Sequence, residues 1–197
     1  MGKIIFYIVI SLTLFACKQP DIFAIDPNTH HSYSLPILEK DDSVKLQQYI
    51  NEGIDVNAKD GIGNTLLMNA AYHNAVKCAR LLIKENASVD VIGFNGETPL
   101  MMACHNSYDI ATILIEAGAN VNAKNRFGNC PLNFAIWECK YDTTCLTSEK
   151  LVKLLIAKGA NVNSVTSLST TPLDAARFIG ATKIDSILVK YGAVEGK

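Results

Sequence analysis

Residues 117–124 read Ala-Gly-Ala-Asn-Val-Asn-Ala-Lys, and variants of this phrase return along the chain. They stand at Gly53-Ile54-Asp55-Val56-Asn57, Asn86-Ala87-Ser88-Val89-Asp90, Gly159-Ala160-Asn161-Val162-Asn163 and Gly192-Ala193. The spacing is 33 residues from position 53 to 86, 32 to 118, 41 to 159 and 33 to 192. A fixed period of this length marks an architecture of stacked supersecondary units, none of which buries its apolar face alone. The interval of 41 shows that one unit carries an insertion of about eight residues.

The other half of each unit opens on Gly63-Asn64-Thr65-Leu66-Leu67, Gly96-Glu97-Thr98-Pro99-Leu100, Gly128-Asn129-Cys130-Pro131-Leu132 or Ser169-Thr170-Thr171-Pro172-Leu173. A threonine ahead of a helix accepts a first-turn N–H, and proline is preorganised for the first helical position, where its missing N–H costs nothing. Small residues follow at Ala70-Ala71, Ala103-Cys104, Ala135 and Ala176, which lets two helices approach closely. A second helix carries an apolar stripe at helical spacing, as in Cys78, Leu81, Leu82 and Ile83, or Leu151, Val152, Leu154, Leu155 and Ile156. Glycine ends it in a left-handed turn, and Asn86 is the best non-glycine substitute there.

These residues resemble ankyrin repeats, in Thr-Pro-Leu, the alanine pair, Leu-Leu-Ile and Gly-Ala-Asn-Val-Asn-Ala-Lys. The resemblance runs from about Leu35 to Gly192. It implies an all-α solenoid over 35–195, with about five helix-turn-helix units joined by β-hairpin-like turns. The units are a degenerate N-terminal cap at 35–59, repeats at 60–92, 93–124 and 125–165, and a closing repeat at 166–195. Three departures, Leu66 for proline, Cys130 for the capping threonine and Ser107 for glycine, should loosen local geometry without altering the architecture, because solenoid repeats contact only their neighbours. The surplus in the third full repeat falls between its two helices, near Cys139 to Glu149, and repeat insertions map to loops on one face, often the binding face.

In ankyrin repeats the hairpin tips and the ends of the first helices line a concave surface that holds protein partners. Carried onto this chain, the tips place Gly61, Ile62 and Asn64, then Phe94, Asn95 and Glu97, then Arg126, Phe127 and Asn129, then Leu168 and Thr170 on that side. The helix ends add Tyr72 and His73, His105 and Asn106, Trp137 and Glu138, and Phe178 and Ile179. The single tryptophan, a tyrosine and three phenylalanines thus fall at equivalent variable positions, and interface hot spots favour Trp, Tyr and Arg. Two intramolecular alternatives stand beside this: Phe178 and Ile179 packing on the C-terminal tail, and Trp137 covered by the inserted loop.

Lys3 is followed by an apolar run from Ile4 to Ala16. About 20 apolar residues are needed to span a bilayer, so this run reads as a secretory signal over 1–16. Leu14-Phe15-Ala16-Cys17 resembles the lipobox of bacterial lipoproteins, with Phe15 departing from the usual small or β-branched residue. The resemblance implies lipidation of Cys17, with the mature protein membrane-attached in the cell envelope and facing the periplasm. Lys18, where some bacteria use Asp for inner-membrane retention, favours the outer membrane. Residues 17–34, with Pro20, Pro27, Asn28 and His30-His31, read as a tether. The alternative is an ordinary cleaved signal with an incidental cysteine.

A formal net charge of −1 and a pI near 6.4 lack the basic excess of a nucleic-acid binder. Five cysteines follow Cys17, an odd number, so at least one is unpaired or bridged between chains. Cys139 and Cys145 could close a small loop. Cys78, Cys104 and Cys130 occupy repeat positions usually held by small or β-branched residues, where a buried thiol acts as a small hydrophobe. Neither a Cys-x-x-Cys pair nor a Cys/His cluster of zinc spacing occurs, and neither does a phosphate loop or nucleophile elbow. The expectation is a monomeric, non-catalytic protein-binding module without cofactor or metal, acting as inhibitor, immunity protein or stabiliser of an envelope enzyme. The competing class is a structural or redox envelope protein using the Cys139/Cys145 loop. Against it, reactive pairs sit at helix N-termini or beside positive charge, whereas here Lys140 is opposed by Asp142.

Overall fold

Thr65, Thr98 and Thr171 hold extended backbone, and each hydroxyl accepts a first-turn amide, from Met68, Met101 and Asp174. Helices therefore begin where the repeated Thr-Pro-Leu phrase places them. The computed structural model describes residues 36–105, 107–141 and 144–196. The expected signal, Cys17 and the tether lie outside the described residues. The helices pair as α1 (Pro36–Glu39) with α2 (Ser43–Asn51), α3 (Leu66–Tyr72) with α4 (Val76–Lys84), and α5 (Pro99–Ala103) with α6 (Tyr108–Glu116). Two further pairs follow, α7 (Pro131–Glu138) with α8 (Leu146–Ala157) and α9 (Pro172–Phe178) with α10 (Thr182–Lys190).

The first helices α3, α5, α7 and α9 stack on one another, and the second helices α2, α4, α6, α8 and α10 form the other layer. Ala70, Ala71, Ala103, Cys104, Ala135 and Ala176 are fully buried between the layers, where a larger side chain would hold the helices apart. Leu82, Leu114, Leu155 and Leu188 recur four residues ahead of each turn and are also fully buried. Each such leucine contributes about 1.5–3 kcal/mol through its removal from water.

The repeated glycine phrase closes the second helix. Asn86, Gly118, Gly159 and Gly192 take positive φ. The next residue, Ala87, Ala119, Ala160 or Ala193, then donates its N–H back to the carbonyl of that buried leucine at 2.9, 2.9, 2.9 and 3.0 Å. This is the bond of a Schellman cap. The last polar residue of the phrase reaches forward. The Oδ1 atoms of Asn57, Asp90, Asn122 and Asn163 accept the N–H of Ser88, Asn120, Asn161 and Val194, at 2.8, 3.0, 2.8 and 2.8 Å. One side chain per unit thus pins the following turn.

The departures from the repeat are compensated locally. At Cys130 the hydroxyl cap is lost, and Asn133 Oδ1 reaches back to the Cys130 N–H at 3.0 Å. Ser107 is buried at the N-cap of α6, accepts from Ile110 N, and donates to Asn74 Oδ1 of the preceding unit at 2.5 Å. At the C-terminal end, Asp174 accepts the Thr171 and Gly196 N–H groups at 2.8 and 3.0 Å, and Thr171 Oγ1 donates to the Val194 carbonyl at 3.0 Å. The tail is thereby fastened beneath the last pair.

Candidate partner-binding face

Four tips project beside the first helices. Asp60, Gly93, Asn125 and Thr166 open them, each donating its N–H to the carbonyl four residues on, at Asn64, Glu97, Asn129 and Thr170. The side chains of Asp60, Asn125 and Thr166 fold over their own tips, accepting the amides of Ile62 and Asn64, Phe127 and Asn129, and Leu168 and Thr170. Such side-chain turns fix a tight loop without a strand. Among the described residues the one strand-like pairing is the single bridge between Lys59 and Thr65.

The second tip is built differently. A Cβ at Gly93 would lie 2.4 Å from Asn64 Oδ1 and 2.6 Å from Met68 Sδ, so any larger residue must push both side-chain ends aside. With no side chain there, Phe94–Gly96 forms a turn of 3-10 helix and Asn95 takes φ 55°. Phe94 is consequently the first residue after its tip opener, whereas Phe127 is the second. The two exposed rings are one register apart and do not occupy equivalent positions as expected. Asn64 is also placed differently from the expectation of an exposed contact. It is buried, and its Oδ1 accepts the Phe94 N–H at 3.0 Å. Later tips are joined by backbone instead, Arg126 N to Asn95 O and Ser167 N to Phe127 O, both at 2.9 Å.

The ends of the first helices do align. Counting from the caps Thr65, Thr98, Cys130 and Thr171, the seventh residue is Tyr72, His105, Trp137 and Phe178, one ring per unit. Tyr72 is 57%, Trp137 38% and Phe178 80% exposed, in line with a surface column in which each ring keeps one side free. Trp137 meets Phe178 edge-on, Tyr72 meets its neighbour His73, and His105 lies on Phe134. Ile62, Asn95 and Asn129 are half-buried at the tips beside this column, and Arg126 is exposed. Ile179 is half-buried, and Asn106 lies outside the described residues.

Polar groups gather at the middle of the column. His105 Nδ1 donates to Glu138 Oε2 at 3.2 Å. Glu97 is half-buried, and burial raises its carboxyl above the usual glutamate range, against the opposing pull of His105 and of a hydrogen bond from Asn125. Asn125 is itself buried, and its Oδ1 already accepts two tip amides. Burial likewise lowers the His73 imidazole, partly offset by Glu39.

The family model for ankyrin repeats, in three copies, matches residues 38–125. The chain folds as an ankyrin-repeat solenoid. Comparison with curated proteins returned no match. The ankyrin architecture continues past the matched segment, since α7 to α10 repeat the same caps, turns and stacking. The first of these later units is the one with the insertion.

That insertion divides into two parts. The connection between α7 and α8 is lengthened, and α8 itself has 12 residues where α4 and α6 have 9. The surplus expected wholly between the helices is therefore partly helical. Cys139 caps the C-terminus of α7 and is disulfide-bonded to Cys145, the N-cap of α8, with Cα atoms 4.7 Å apart. The bridge fastens the helix end that carries Trp137 and Glu138. It also puts one cysteine at a helix N-terminus, the placement that sequence alone gave no reason to assign. Cys78, Cys104 and Cys130 are buried free thiols. Burial, with Asp41 nearby, pushes the Cys78 thiol up to about 12, and burial raises Cys104 as well, so neither supplies a thiolate near neutral pH. Among the described residues no cluster suited to a metal ion occurs, and no helix is long and apolar enough to cross a membrane.

Proposed function

We propose that this chain is a non-catalytic, lipid-anchored binding module of the bacterial envelope that captures a protein through the face formed by its tips and first-helix ends. Ankyrin repeats are protein-interaction modules, and that coarse assignment follows from the matched repeats. The observation that carries the rest is the ring column of Tyr72, His105, Trp137 and Phe178, flanked by exposed Phe94 and Phe127. Rings left in water along one face lose the burial energy that the core leucines of the repeat obtain, and apolar patches of this kind mark interaction sites. Partner contacts are assigned to Ile62, Tyr72, His73, Phe94, Asn95, Glu97, His105, Arg126, Phe127, Asn129, Trp137 and Glu138, with Asn64 supporting the second tip from beneath.

The anchoring part rests on Leu14-Phe15-Ala16-Cys17. Acyl chains on Cys17 would exceed the two-signal threshold for stable attachment. Such a module serves either as an inhibitor or immunity protein against a delivered toxin, or as a stabiliser of a resident envelope enzyme. A pull-down from native envelope extract tests the reading, with Trp137→Ala/Phe127→Ala as the control bait. A toxin or hydrolase retained only by the unaltered bait supports the first role, a resident enzyme the second, and equal retention by both baits contradicts the face assignment. Cys17→Ser should move the protein from the membrane fraction to a soluble pool; continued membrane residence would contradict lipidation.

A second reading attaches to the Cys139–Cys145 bridge, because Cys145 stands at the N-terminus of a 12-residue helix, where a thiolate is stabilised. In that reading the loop is a redox centre. A reduction potential below about −300 mV would mark it as structural instead.

A further inference from the structure

Two carboxylates lie at the centre of the ring column, and His105 connects them. Its Nδ1 is bound to Glu138 at 3.2 Å, and its ring acts electrostatically on Glu97 in the neighbouring tip. Trp137 precedes Glu138 directly and is 38% exposed. Among the described residues neither carboxylate is paired with a lysine or an arginine, although four ion pairs elsewhere, such as Glu149 with Lys183 and Asp185 with Arg177, show that this chain uses basic partners. Arg126 sits in the same region, but its backbone N–H is fixed to Asn95 and its side chain is exposed.

Glu97 is held in a constrained position. Like Asn64 at the equivalent place in the first tip, Glu97 bonds into the next tip, to the buried side-chain amide of Asn125, but it stays half-buried where Asn64 is buried. A half-buried carboxylate has lost part of its hydration, and a cation arriving from outside would restore what burial removed. A planar guanidinium suits this place better than an ammonium, because it can donate to two carboxylates in one plane and stack on an indole.

We infer that the first-helix face receives an extended partner segment that places an arginine side chain between Glu97 and Glu138 and against Trp137, with apolar residues on either side meeting Tyr72, Phe127 and Phe178. The inference rests on the reading of this face as the partner surface. The occupant is fixed by complementarity: two acidic groups that share one imidazole and have no lysine or arginine paired with them among the described residues, set in a row of rings, match a basic residue set in an apolar stretch.

The test is a selection of phage-displayed random peptides on the full-length chain in mild detergent, with each selected peptide synthesised and titrated by calorimetry, and by the emission of Trp137, the single tryptophan, in the proteins that keep it. The expected peptides carry an arginine between apolar residues, and Glu97→Gln/Glu138→Gln weakens them by about tenfold or more. Glutamine keeps an acceptor for His105 and removes a desolvated charge, so circular dichroism should match the unaltered protein. Replacing the peptide arginine by lysine should weaken binding severalfold. Peptides that depend on Trp137 and Phe127, carry no basic residue and bind the glutamine variant equally would overturn the arginine assignment while leaving the face intact. Peptides that bind Trp137→Ala/Phe127→Ala undiminished, or failure to select any, would overturn the face reading and the inference with it.

Discussion

Trp137 and Phe178 meet with ring centroids 5.9 Å apart and planes inclined at 64°, across the junction between the fourth and fifth helix pairs. This contact ties the exposed column to the closing repeat. Phe178→Ala should shift the emission of Trp137 to the red and lower unfolding stability by about 0.5–1.5 kcal/mol, the worth of an aromatic pair. An unchanged spectrum would mean that the rings do not meet in solution.

The ladder of side chains on the turns makes a separate expectation. Asn122 Oδ1 accepts from Asn161 N at 2.8 Å, and its Nδ2 donates to the Gly159 carbonyl at 2.9 Å. Asn122→Ala removes both bonds and should cost about 1–2 kcal/mol in a urea titration. A change within error would assign those bonds no net worth against water.

Gly93 and Gly53 separate crowding from backbone strain. Beside Gly93 an added Cβ would meet Asn64 Oδ1 and Met68 Sδ below 3 Å, whereas beside Gly53 nothing lies within 4 Å and only its φ of 96° opposes a side chain. Gly93→Ala should therefore cost about 1–3 kcal/mol by overpacking, and Gly53→Ala about 1 kcal/mol. The reverse order would contradict the packing of the second tip.

Asp174 gives the C-terminal tail a pH dependence. The Thr171 backbone N–H above all, aided by its hydroxyl and the Gly196 N–H, holds the Asp174 carboxyl below the usual aspartate range. A depressed folded value means that its stabilisation is present above the ordinary range and is lost as pH falls through the lower folded value. Stability should fall as pH drops below the ordinary aspartate range, and Asp174→Asn should flatten that part of the curve. An identical acid limb in both proteins would remove Asp174 as its source.

Much of the fold was legible because its causes are local. Thr98-Pro99 caps a helix and Gly118-Ala119 ends one through bonds among near neighbours, so the phrases themselves located the five pairs. The side-chain roles that were not legible depend on contacts 30 or more residues away. Asn64 and Phe94 illustrate this: a bond between them over 30 residues buries one and displaces the other by a register. The recurrence of Asn or Asp at 57, 90, 122 and 163 was visible, yet its bond to the next turn exists only once units stack. The column of Tyr72, His105, Trp137 and Phe178 could be placed because it counts from a local cap, whereas the helical share of the insertion could not, since its residues carry no repeat signature.

The central claim is that partners are captured on the first-helix face. A photo-crosslinking benzoylphenylalanine placed in turn at Phe127, Trp137 and, on the exposed second-helix side, Lys153, and irradiated in living cells, tests it directly. Adducts of one common mass from positions 127 and 137, with none from 153, are the expected result. Adducts from 153 with none from 127 and 137 would contradict it.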